Sequence, residues 1–111
     1  MFQPRRALAA IVLSVAFGVP VPAWAQTSGD IATGAQVAQR QCANCHIVSS
    51  AQRAAPMDGA PTFHAIAANP FTTAVSLRTV IEIPHPRMAN QMLSRQEVSD
   101  VIAYILSLRP Q

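Results

Sequence analysis

Apolar positions recur at helical rather than strand spacing through most of the chain. The clearest run lies near the C-terminus. There Val98, Val101, Ile102, Ile105 and Leu106 fall at i, i+3, i+4, i+7 and i+8, one face of an α-helix. Ser94 and Glu97 precede it in the S-x-x-E spacing of a capping box, and Pro110 stops it. A first helix is predicted over residues 31–43, with Asp30 as its N-cap and Ile31, Gly34, Val37 and Ala38 at helical spacing. Pro61 suits the first turn of a short helix. Its inner face is Phe63, Ile66 and Ala67, and Asn69-Pro70 ends it. A third helix is predicted over residues 72–82, its apolar side carried by Val75, Leu77, Val80 and Ile81. Ser49, Ser50, Pro56, Asp58 and Gly59 break any period over residues 47–60, and residues 84–93 hold two prolines and two methionines. Both stretches read as loops.

The first 25 residues follow another pattern, that of a secretory signal. Arg5 and Arg6 form a positive start, Ala7 to Val19 is an uncharged apolar run, and Ala23-Trp24-Ala25 fits the small-x-small cleavage rule. The apolar run is short for a membrane span of about 20 residues. Cleavage after Ala25 is therefore expected, leaving residues 26–111 as a single domain with no stable membrane insertion and a periplasmic location. So small a chain buries only roughly 60–65% of its unfolded surface and needs added stabilisation.

Charge changes the picture mainly by exclusion. All eight basic residues are arginines and two lie in the signal, so residues 26–111 carry six against five acidic residues. Nucleic-acid binding wants a clustered basic face, and none is visible. No catalytic acid–base pair stands near the motif described next; Asp58 and Glu82 read as solvated.

The candidate chemistry lies at Cys42-Ala43-Asn44-Cys45-His46. Two cysteines in an exported chain would ordinarily suggest a disulfide. A thioredoxin-like pair would want βαβ surroundings, and a zinc site would need four ligands, recruiting His64 and His85. Cysteines three apart with histidine next instead read as c-type haem attachment. Each cysteine can then form a thioether with a haem vinyl group, and His46 can be the proximal iron ligand. A haem also explains the long loops, which a compact domain of this size would otherwise not hold. Methionine as sixth ligand gives a closed iron suited to electron transfer, whereas an open position suits gas binding or peroxide chemistry. Met57, Met88 and Met92 follow the motif, and spacing alone does not separate Met88 from Met92.

The chain resembles a small class I cytochrome c of bacterial type over nearly all of residues 29–108. The likeness runs through Gly34 and Val37, Cys42 to His46, Ala60-Pro61-Thr62-Phe63, Pro84-His85-Pro86-Arg87-Met88, Leu93-Ser94 and Ala103-Tyr104-Ile105. It implies an all-α fold of about four helices wrapped around one covalently bound haem c. It also implies Met88, six residues before Ser94, as the axial partner of His46, and an iron ligated by His46 and Met88. The Pro61 carbonyl is implied to accept the His46 Nδ1–H bond, and Gly34 to allow the first and last helices to cross near Tyr104. One departure is Ala89, where that family usually has proline after its axial methionine. Arg53, Arg78 and Arg87 are candidates to pair with haem propionates.

Together these readings imply an exported mono-haem carrier of single electrons, not an enzyme. Its partners would be redox proteins: an oxidase, a reductase or a dehydrogenase. The alternatives are an electron-accepting subunit of a periplasmic dehydrogenase complex, favoured by a large apolar face around Met88 to Leu93, and a haem-based gas sensor or peroxidase with a labile Met88.

Overall fold

The computed structural model describes residues 28–55, 59–83, 88 and 92–111. The expected signal over residues 1–25, with its cleavage point, lies outside the described residues, as do Met57, Asp58, His85, Arg87 and Ala89. Among the described residues the chain forms four α-helices: α1 (Ile31–Gln41), α2 (Phe63–Ala68), α3 (Ala74–Glu82) and α4 (Arg95–Ser107).

Each helix begins where a short polar side chain replaces the missing upstream carbonyls. Asp30 caps α1 by accepting from the Thr33 amide, and Thr62 caps α2 by accepting from the Ala65 amide. Thr73 and Ser76 make a reciprocal capping box on α3, as Ser94 and Glu97 do on α4. Pro61 therefore stands one residue before the cap of α2 rather than in its first turn. Its carbonyl is met by His46 Nδ1.

Helix α4 is the centre of the packing and touches all three others, α1 most extensively. Val98, Val101, Ile102 and Ile105 are buried along its predicted face, and Val37 and Ala38 meet them from α1. Phe63, Ala67, Leu77 and Val48 complete the core. The α1–α4 crossing is close enough to exclude side-chain atoms. A Cβ on Gly29 would overlap the Ser99 carbonyl, and one on Gly34 would overlap the Asp100 carbonyl and lie 2.9 Å from Tyr104 Cβ. The crossing expected at Gly34 and Tyr104 is thus present.

Three expectations shift. Helix α1 stops at Gln41 because Cys42 is its C-cap and the chain then turns, with Cys45 and His46 amides both donating to the Cys42 carbonyl. Helix α3 begins at Ala74 because Thr73 is its cap. On α3 only Leu77 is buried and Ile81 half-buried, whereas Val75 is 76% exposed and Val80 50%. Val75 lies two residues from Leu77, about 200° around the helix, so the two cannot face one neighbour.

Among the described residues every buried side-chain nitrogen and oxygen is partnered. Asp100, buried on α4, accepts from the Asp30 amide at 2.8 Å and from Gln96 Nε2 at 2.8 Å. It thereby ties the start of α1 to the middle of α4. Arg109 donates to the Thr72 carbonyl, closing the α2–α3 turn onto the end of α4.

Candidate haem attachment site

The motif Cys42 to His46 is a tight turn leaving α1. Cys42 and Ala43 pack against the core, so the turn is anchored at its first residues. Both cysteines are half-buried. Burial, followed by the neighbouring Cys45, pushes the Cys42 thiol up to about 11. A thiol held neutral in this way is the opposite of the low-pKa nucleophile of a thioredoxin-like pair.

His46 is half-buried and its orientation is set by three contacts. Its amide donates to the Cys42 carbonyl at 2.8 Å. Its Nδ1 lies 2.6 Å from the Pro61 carbonyl, which can only accept, so Nδ1 carries the proton. Its ring also meets Phe63 at a centroid distance of 5.5 Å and a tilt of 54°. The Nε2 lone pair is then the ring's free donor to a metal, and a hydrogen bond at the other nitrogen makes it more basic. Phe63 in turn meets Tyr104 at 6.3 Å, so one aromatic column joins the motif to the α1–α4 crossing.

The loop after the motif is closed by bonds that periodicity did not reveal. Tyr104 Oη donates to the Val48 carbonyl at 2.7 Å, and the Phe63 amide donates to the Ile47 carbonyl at 3.0 Å. Gln52 Oε1 accepts from the Val48 amide at 3.0 Å. Gln52 Nε2 faces the carbonyls of Ala43 (3.1 Å), His46 (2.9 Å) and Ala54 (3.2 Å). A glutamine in a polar loop carries no periodic signal, and its partners are known only once the loop has closed.

The other candidates divide. Met88 is half-buried, whereas Met92 is 98% exposed. His64 is exposed on α2, as expected of a surface histidine. Arg53 is exposed, and Arg78 bonds Glu82 at 2.9 Å and Ser99 Oγ at 2.9 Å, so its guanidinium already has partners. No group of three or more His, Cys, Asp or Glu side chains among the described residues is placed to hold a bare metal ion. Two thiols on one turn, followed by an imidazole presenting Nε2, do fit a covalently tethered haem. When bound, that group supplies a one-electron iron couple; the chain's residues tether, orient and shield it.

Four helices in this order, with two thiols on one turn followed by a carbonyl-bonded histidine, fit the class of c-type haem proteins. A family model described as Cytochrome c matches residues 31–109. Cytochrome c-552 of Bradyrhizobium diazoefficiens is 41% identical over 83 residues, which cover 75% of this chain and 79% of that protein. No solved structure gives a significant match. The chain belongs to the cytochrome c family: it is an electron-transfer protein carrying haem c with its iron, and it works by exchange with redox partners. Among the described residues no helix is long and apolar enough to cross a membrane.

Proposed function

We propose that the chain is an exported, periplasmic single-electron carrier whose haem is tethered by Cys42 and Cys45 and whose iron is held between His46 and Met88. The observation that carries this reading is the 2.6 Å bond from His46 Nδ1 to Pro61, which leaves Nε2 for the metal. The choice of Met88 is supported by its half-burial beside a fully solvated Met92. A thioether that closes the iron's sixth position must leave water, since its affinity for the metal is modest and bulk water competes. Held by His46 and Met88 together, a haem iron would be closed to added ligands and would supply a one-electron couple, as a carrier requires. Export rests on the signal-like first 25 residues, with cleavage after Ala25.

The test is optical. Oxidised protein should show the weak long-wavelength charge-transfer band of methionine–iron ligation, Met92→Ala should keep it, and Met88→Ala should lose it. Survival of the band in Met88→Ala refutes the ligand assignment. Rapid CO binding to the reduced wild-type protein would favour a sensor or peroxidase instead. Intact mass of the periplasmic product tests the cleavage point.

A further inference from the structure

We propose that Gln52 is the positioning residue that holds the haem-attachment turn and, through it, His46. This role rests on the reading of His46 as iron ligand. Residues 47–55 form no helix, so the backbone groups around the turn have no regular partners. One side chain supplies four of them. Its oxygen takes the Val48 amide, and its two N–H donors are shared among the carbonyls of Ala43, His46 and Ala54. Ala43 lies inside the turn, His46 ends it, and Val48 and Ala54 lie beyond it. Gln52 therefore closes residues 43–54 into one unit.

The consequence for His46 is specific. Its amide is bonded to Cys42, its ring to Pro61, and its carbonyl to Gln52. Without Gln52 the residue keeps two of these attachments and gains a peptide plane that can rotate. That freedom loosens the backbone from which the ring projects, leaving the Pro61 bond and Phe63 to orient it. A ligand that swings changes the iron's environment between oxidation states, which a carrier must avoid. Neither near-isostere matches the site. Glutamate has no N–H donor when ionised and sets charge against three carbonyls, and methionine has the length without the polar groups.

The test uses ¹⁵N-labelled, haem-loaded protein. In wild type the Val48 amide and the Gln52 side-chain amide should both exchange slowly with solvent. Gln52→Met should speed Val48 exchange roughly 5- to 10-fold, the value of one neutral hydrogen bond. It should also move the hyperfine-shifted His46 ring resonances and the reduction potential while the methionine–iron band persists. His46 resonances and potential unchanged in Gln52→Met overturn the proposal. So does a wild-type Gln52 side-chain amide that exchanges as fast as a free one, a result that needs no variant to fold. Loss of the proposal in these ways leaves the ligand reading intact. Failure of the ligand reading would instead appear as wild-type oxidised protein with no hyperfine-shifted His46 ring, and it would overturn the positioning role as well.

Discussion

Gly34→Ala sets two effects of opposite sign against each other. Alanine is the better helix former by about 1 kcal/mol, so α1 alone predicts a more stable protein. The added methyl, however, falls on the Asp100 carbonyl of α4 and within 2.9 Å of Tyr104 Cβ. Backbone has no rotamer to escape into, so α1 must move off α4. That movement loosens Val37 and Ala38 from Val101 and Ile105 and strains the Tyr104 bond to Val48. Overpacking of this kind costs typically 1–3 kcal/mol, and a weakened buried hydrogen bond adds about 1 kcal/mol. After the propensity gain the net is a loss of about 1–3 kcal/mol. The assay is guanidinium unfolding of the haem-loaded protein, with exposed Gln39→Ala on the same helix as control. A midpoint unchanged or raised in Gly34→Ala, at unchanged m-value, refutes the close-crossing argument.

Two further outcomes follow from the same frame. Tyr104→Phe keeps the ring against Phe63 but leaves the Val48 carbonyl without its 2.7 Å donor, so unfolding should be about 1 kcal/mol easier while the optical spectrum is retained; an unchanged midpoint shows the bond to be unimportant. Thr33 and Ser94 amides hold the Asp30 and Glu97 carboxyls below the usual carboxylate range. Since the folded values are the lower ones, the stability they lend is complete only above the unfolded values, from about pH 5 upward, and is lost as pH falls through the folded values. Asp30→Asn keeps a good cap and should flatten the acid slope of stability relative to wild type; an identical slope refutes the assignment.

Much of the frame was legible because its signals are local. The S-x-x-E box and five apolar residues at helical spacing define α4 with no tertiary knowledge, and Asp30 before Ile31 marks the start of α1. Boundaries failed where a competing local bond intervened. Cys42 ends α1 because the amides of Cys45 and His46 turn back to its carbonyl, and Thr62 takes the cap of α2, so Pro61, expected in the first turn, stands before the helix. The apolar side of α3 failed for another reason. Val75 and Leu77 are both hydrophobic, but only packing against α4 chooses which side of the helix is inside.

The chemistry of haem attachment, two thiols three apart with a histidine beside them, and the caps of α1 and α4 are written in adjacent residues. Tertiary structure alone decided how that chemistry is held. Phe63 joins His46 to Tyr104, Asp100 ties α1 to α4, and Gln52 gathers four backbone groups from residues 43–54. Each of these pairs residues whose side chains have no periodic relation. Their partners exist only after the chain has closed, because a hydrogen bond records a position in space and a pattern along the chain does not.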